Sequence, residues 1–200
     1  TSSLEGLLFP DTYQVSNADN EGQIIERMIE LMERVALQEE LELRSSALGI
    51  TPYEALIVAS MIEREAKVDG DRALIARVIY NRLELGMNLE IDATLYYGSS
   101  TDTPFAVLKA RDFPYNTYKY GGLPPTPIAN PGRASIRAAL NPAPNPSSGN
   151  ELCEVLDDPT VGCNYLYYVL ADDDGSHAFA VTFDQHQANV EIARAKGLLG

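Results

Sequence analysis

The sequence predicts an α+β fold: a helical core with one buried central helix, long Pro/Gly/Tyr-rich loops and a small antiparallel sheet. Three observations predict it. Apolar residues recur at helical spacing in three segments between residues 23 and 85. Residues 86–132 then lose that period and fill with Gly, Pro, Tyr, Thr and Asn. Finally, two short runs rich in β-formers, 165–170 and 177–182, flank Asp172-Asp173-Asp174-Gly175 and read as a hairpin. Helices, loops, hairpin and a last helix in that order place the strands apart from the helices, which is the α+β pattern.

Leu7-Leu8-Phe9-Pro10-Asp11-Thr12-Tyr13 is apolar, then broken by proline, and is expected to be an edge strand or an extended lead-in. Residues 23–43 follow as a helix, with Ile24, Met28, Leu31, Val35 and Leu41 inward and Glu26, Glu30, Glu33, Glu39, Glu40 and Glu42 forming a solvated face. Thr51-Pro52-Tyr53-Glu54 is a helix start. Thr51 can cap, Pro52 suits the first turn and Glu54 can close a capping box. The helix that follows, 55–66, is apolar nearly all round, the mark of a buried element. Asp69-Gly70-Asp71 is expected to end it. A further helix then runs over 72–85 on Leu74, Ile75, Val78, Ile79 and Leu83, stopping at Gly86. Nearly 50 irregular residues, 86–132, are too apolar and aromatic for disorder, and loops of that length usually carry function. A short helix over 133–140 leads to an exposed, Pro-rich insertion, 141–164, before the hairpin and a final helix to about residue 195. The chain reads as one domain, 1–200, with no internal repeat.

Length and charge narrow the function. A chain of 200 residues buries roughly two-thirds of its unfolded surface and needs neither metal nor disulfide to fold. With 15 basic against 29 acidic residues the net charge is −14, and no basic patch is present. Nucleic acid is excluded as a partner, and an anionic membrane surface is disfavoured. No run of 18 apolar residues occurs, and the first residues lack a basic and an apolar region, so they read as a cut within a longer protein. The two histidines and two cysteines make no metal-ligand pattern, and no serine-hydrolase elbow, P-loop or dinucleotide turn is present. No metal and no cofactor is expected. Cys153 and Cys163 either close a small loop or remain two thiols in a reducing compartment.

Two carboxylates end the apolar helix. Glu63 and Glu65 point about 200° apart, so they cannot share one small site through helix geometry. Glu63 faces Lys67 at i+4 and reads as half of an ion pair. Glu65 lies on the stripe of Val58, Met61, Ile62 and Val68 with no cation at that spacing. Burial there disfavours its charge and prepares a general acid. The alternative is a pair with Arg72 or Arg77 that only orients helices. Asp11 and Asp92 stand beside tyrosines as loop caps or further acids, and Tyr115-Asn116-Thr117-Tyr118 offers flat faces and amide hydrogen bonds suited to a sugar, a peptide or a buried loop.

Taken together the motifs resemble the endolytic murein transglycosylase family, the MltG or YceG-like proteins. The resemblance rests on Leu4-Glu5-Gly6 with Phe9-Pro10-Asp11-Thr12-Tyr13; Ala59-Ser60-Met61-Ile62-Glu63-Arg64-Glu65; Val78-Ile79-Tyr80-Asn81-Arg82-Leu83; Gly86-Met87, Asp92 and Tyr97-Gly98; Tyr115-Asn116-Thr117-Tyr118; Gly122-Leu123-Pro124-Pro125 with Pro127-Ile128-Ala129-Asn130-Pro131-Gly132; and Tyr167-Tyr168-Val169 with Gly175, His177 and Phe179. The set runs in order over residues 4–186. Two departures stand out: Ala66 replaces a usual hydroxyl residue, and the cysteine-bearing insertion is not general to the family.

The resemblance implies non-hydrolytic cleavage of peptidoglycan between N-acetylmuramic acid and N-acetylglucosamine, leaving a 1,6-anhydro end. The family's catalytic glutamate maps to Glu65, with Glu63 as the fallback. Asn81, Asp92, Tyr115, Asn116, Thr117 and Tyr118 are the expected substrate-binding residues. It also implies action outside the cytoplasmic membrane, an N-terminal anchor in the longer protein and cell-wall synthesis enzymes as partners. An oxidising exterior favours the Cys153–Cys163 disulfide. The rival expectations are a lysozyme-like hydrolase using Glu65 with Asp92, and a non-catalytic glycan-binding scaffold.

Overall fold

The computed structural model describes residues 3–100, 102–156 and 162–199. Its elements in chain order are α1 (Glu21–Gln38), α2 (Leu41–Ala47), α3 (Pro52–Glu65), α4 (Asp69–Glu84), α5 (Asp92–Tyr96), α6 (Phe105–Ala110), α7 (Arg133–Leu140), a 3-10 turn (Glu151–Cys153), β1 (Tyr167–Leu170), β2 (His177–Ala180) and α8 (Phe183–Ala195). The predicted α+β class holds, with one two-stranded antiparallel sheet among the described residues.

Everything packs on α3. Eight consecutive residues, Ala55 to Ile62, are buried, because α2, α4, α5 and α7 surround the helix. Its start is as expected: Thr51 Oγ1 accepts from the Glu54 amide, and the Glu54 carboxylate accepts from the Thr51 amide at 2.7 Å. Ser60, fully buried, donates to the Ile57 carbonyl and accepts from the Ile128 amide, which ties the proline loop to the helix.

Three helix boundaries differ from expectation. The single helix over 23–43 is two, because Leu41 lies six residues beyond Val35, about 240° away around a helix, and both are buried. The chain breaks so that each faces the core. Glu40 takes the left-handed conformation (φ 54°), and Glu39 is drawn in between Arg133 and Arg137 of α7. Asp69 and Asp71 do not end α3; it stops at Glu65, and the two acids occupy the first turn of α4, where carboxylates offset the helix dipole. Within 86–132, α5 and α6 add two short helices to the expected loops.

The lead-in over residues 7–13 pairs with no strand among the described residues. Its Phe9 is buried, and the Phe9 amide donates to the Met28 carbonyl. Gly6 precedes it at φ 81°, where a Cβ would sit 2.4 Å from the Pro127 ring, so only glycine fits.

In the loop region polar side chains replace a backbone ladder. The buried Asn116 amide donates to the carbonyls of Lys109 and Arg111, and its oxygen accepts from the Tyr118 amide. Thr117 Oγ1 accepts from the Ile91 amide and meets Thr94 Oγ1 at 3.0 Å. These bonds satisfy buried groups that would otherwise be orphaned.

The insertion is anchored rather than linker-like. The Ala143 amide donates to Ala73 of α4, and Asn145 bonds to Asn81 and Asn164. Cys153 and Cys163 are joined in a disulfide with Cα atoms 5.6 Å apart. The hairpin pairs Tyr168 with Phe179 and Leu170 with His177, and lies against α4 and α8. Asn20 with Gln23 at the start of α1 and Thr182 with Gln185 at the start of α8 form further capping boxes. Among the described residues no single helix is long and apolar enough to cross a membrane.

Replacing Thr51 with Ala is expected to destabilise the protein by about 1 kcal/mol, read as a lower urea midpoint with an unchanged slope. An unchanged midpoint would show that the cap contributes nothing to the central helix.

Candidate active site

Where α3 ends, Glu65 reaches into a cavity of about 310 Å³. Arg82, Asp92, Tyr118, Tyr168 and His177 are among the residues that share its wall. Larger hollows of about 880 and 690 Å³ lie against α1–α2 and α6. They are more open and apolar, and the acids at the edge of the first, Glu33, Glu40 and Glu42, face solvent. Convergent polar groups single out the smaller cavity as the candidate site.

Both oxygens of Glu65 are held. Oε1 accepts from the Ala93 amide at 3.3 Å and Oε2 from the Tyr168 hydroxyl at 3.2 Å. Among the described residues Glu65 makes no ion pair. Arg72 pairs with Asp69, and Arg77 binds the Ala143 carbonyl, so neither arginine neutralises it. Burial raises the Glu65 pKa and outweighs the lowering by the Ala93 amide; the nearby Asp92 charge raises it further and the Tyr168 hydrogen bond opposes the rise. The Tyr168 phenol is itself pushed well up by burial and by Glu65, so it stays protonated and donates. The arrangement holds a carboxyl group in reach of a ligand, with burial favouring its neutral, proton-donating form.

Glu63 is occupied otherwise. The expected pair with Lys67 is absent because Glu63 Oε2 accepts from the Gly132 amide at 3.1 Å and from Ser135 Oγ at 2.6 Å, capping the start of α7. Lys67 instead lays its stem against Gly175, whose φ of 88° and close contact admit no side chain.

Of the residues expected to bind substrate, Asp92 and Tyr118 line the cavity and are joined by a hydrogen bond from the phenol to the carboxylate. Burial and Asp92 push the Tyr118 phenol up, keeping it a donor. Lys109 Nζ lies 4.1 Å over the Tyr118 ring. The other four stand elsewhere in the structure. Asn81 is buried with its amide committed to Asn145 and the Tyr165 carbonyl. Asn116 and Thr117 are buried in the loop network described above. Tyr115 stacks between Tyr97 and Phe113 and bonds Thr126. Each satisfies its polar groups within the protein, which explains the geometry: the amide-rich stretch builds the wall behind Tyr118.

Sequence reasoning quoted Arg82, Tyr168 and His177 as motif residues and weighed both histidines only as metal ligands; it gave none of these, nor Glu90, a place in the site. Arg82 is buried, and it donates to the carbonyls of Leu166, Asn88 and Leu89 and pairs with Glu90 at 3.2 Å. Glu90 holds a left-handed backbone (φ 53°), an uncommon conformation for a non-glycine residue. His186 stacks on Tyr167, and burial together with the Arg82 charge lowers its pKa. The available signal was the pair of histidines in a histidine-poor chain, on the strand and helix that face α4.

The sequence profile of the YceG-like family matches residues 1–192. An endolytic murein transglycosylase of Bacillus subtilis is 36% identical over 186 residues, covering 92% of this chain and 46% of that protein. One from Streptococcus pneumoniae (strain R6) is 30% identical, covering 94% of this chain and 32% of that protein. The crystal structure of a yceG-like protein from Listeria monocytogenes superposes with a TM-score of 0.75 at 32% identity, over 92% of this chain and 55% of that one. The chain therefore spans about half, or less, of the relatives it matches.

The Glu65 environment predicts two opposite shifts. Asp92→Asn removes a charge that raises the Glu65 pKa and is expected to lower it; Tyr168→Phe removes a hydrogen bond that lowers it and is expected to raise it. A carbon-13 NMR titration of the side-chain carboxyl reads both, and shifts of the same sign would contradict this electrostatic account.

Proposed function

The chain belongs to the YceG-like family, and on that premise we propose that it is the catalytic portion of a peptidoglycan lytic transglycosylase. The reaction is cleavage of the bond between N-acetylmuramic acid and N-acetylglucosamine without water. The observation that carries the proposal is Glu65: a carboxyl with a raised pKa and no ion pair among the described residues, held at both oxygens and lining a cavity. The relatives named as endolytic murein transglycosylases support it.

Glu65 protonates the glycosidic oxygen as the bond to the anomeric carbon breaks. The muramoyl 6-hydroxyl then attacks that carbon, and Glu65, now a carboxylate, takes the hydroxyl proton. The nucleophile is tethered to the ring it closes, so attack is intramolecular and needs no second carboxylate to activate water. Tyr168 and the Ala93 amide fix the carboxyl and stabilise it once ionised. Peptidoglycan lies outside the cytoplasmic membrane, and the proposal includes action there, with the longer protein anchored by an N-terminal helix beside cell-wall synthesis enzymes.

Asp92 on the same wall favours a second reading, in which it supports a lysozyme-like hydrolysis with Glu65. The new chain end separates the two. Mass spectrometry of glycan strands after incubation is expected to find 1,6-anhydro ends with the unaltered protein and a loss of about 10²-fold or more with Glu65→Gln. Reducing ends would establish the hydrolase. Undiminished anhydro product from Glu65→Gln would remove Glu65 from the reaction, and no product from either protein would favour a glycan-binding scaffold.

A further inference from the structure

A second titratable pair borders the cavity and takes no part in the reaction as written. His177 opens β2 opposite Leu170, on the sheet face that also carries Tyr168 and Phe179. Both its backbone amide and its ring Nδ1 lie 2.8 Å from Asp71 Oδ2, in the first turn of α4. The pair is nearly closed to solvent, with side-chain exposures of 8% for His177 and 11% for Asp71. The Tyr168 ring stands edge-on to the imidazole, 5.4 Å between centroids.

A carboxylate accepts hydrogen bonds and does not donate them, so Asp71 requires the proton to be on Nδ1. In the neutral ring the lone pair is then on Nε2. Nε2 makes no hydrogen bond to any described residue. Tyr168, the nearest hydroxyl-bearing ring, spends its proton on Glu65. His177 lines the same cavity as Glu65, Asp92 and Tyr118. The backbone amide alone would tie the hairpin to Asp71. The added ring contact fixes which nitrogen faces the ligand.

We propose that His177 is a substrate-contacting residue whose Nε2 accepts a hydrogen bond from a glycan hydroxyl, with Asp71 as the positioning residue that sets its tautomer. The inference rests on the proposed glycan substrate and adds a contact from the hairpin side of the cavity. It gives the hairpin a role in holding the sugar as well as in holding Tyr168. The carboxylates of Asp92 and Glu90 also line this space as acceptors. With a proton held on Nδ1 by Asp71, the neutral His177 ring adds an acceptor from the hairpin side, at a position set by its neighbour.

The test is long-range proton–nitrogen NMR of the histidine rings. The chain has two histidines, so a His186→Gln protein assigns them. His177 is expected to show the tautomer protonated on Nδ1, and its Nε2 signal to move when purified peptidoglycan glycan strands are added to Glu65→Gln protein, which keeps the strand intact. In the same background His177→Ala is expected to weaken strand binding roughly three- to tenfold, the loss of one hydrogen bond, and His177→Gln, which retains an acceptor, to recover part of it. An Nε2-protonated tautomer overturns the inference, as does an Nε2 signal unmoved while other cavity resonances, such as the Ala93 amide, saturate. No shift at any resonance overturns both this contact and the proposed substrate. Anhydro ends from the unaltered protein with an unmoved Nε2 would overturn only this inference. A moved Nε2 without any cleavage would retain it and overturn the reaction. The NMR measurement uses the native histidine, so it stands even if His177→Ala fails to fold.

Discussion

The structure depends on the burial of one helix that ends in a carboxyl group. Residues 55–62 of α3 are surrounded on every side, which places its termini at fixed points on the molecule. Its C-terminal turn delivers two acids to opposite sides. Glu63 meets the α7 start, where the Gly132 amide and the Ser135 hydroxyl both donate to it. Glu65 is buried against one amide and one phenol, which hold it while burial leaves its charge disfavoured. Two identical side chains, two residues apart, thus acquire different chemistry from their surroundings alone. Other parts of the fold, including the α7 cap, the Arg82 brace and the hairpin, surround this pair of environments.

Much of the frame was legible because it is written in local signals. The Thr51 capping box, the all-round apolar run after it, the 133–140 helix and the hairpin turn at Gly175 each depend on neighbours within a few residues. Glu65 emerged for the same reason: the stripe it shares with Met61 and Ile62 is a property of one helix. The break at Glu39–Glu40 was legible only in part: Leu41 falls off the face of Val35, but nothing local says where the chain turns. What decides it is the pull of Arg133 and Arg137 on Glu39, almost a hundred residues away. The same holds for Asp71, which reads locally as a helix end and serves structurally as a grip on the hairpin.

The expected substrate-binding residues divide along a physical line. Asp92 and Tyr118 carry polar tips on a wall that faces open space. Asn81, Asn116 and Thr117 carry short side chains whose donors and acceptors are all matched by the protein's own backbone and side chains. In a segment with little regular structure, such residues must supply the hydrogen bonds that a sheet would have supplied. An unusual density of Asn, Thr and Tyr therefore marks a loop region built to hold its shape, and only Tyr118 of the stretch reaches the cavity wall, where its phenol bonds Asp92. Composition alone does not separate the two roles.

The contacts that complete the cavity span great lengths of chain: Glu65 to Tyr168 is 103 residues and Asp71 to His177 is 106. Closing such loops carries an entropic penalty that is recovered only when the hairpin docks. Local helical contacts within α3 and α4 face no such delay, so the acid-bearing helix can form before its environment exists. Until the hairpin docks, Glu65 has neither its phenol donor nor the full burial that raises its pKa. Opening of the C-terminal hairpin in the native state would return it to that condition without unfolding the helical core. Proton-donating capacity in this fold is therefore tied to the order of assembly, and it belongs to the docked hairpin as much as to the helix that carries the residue.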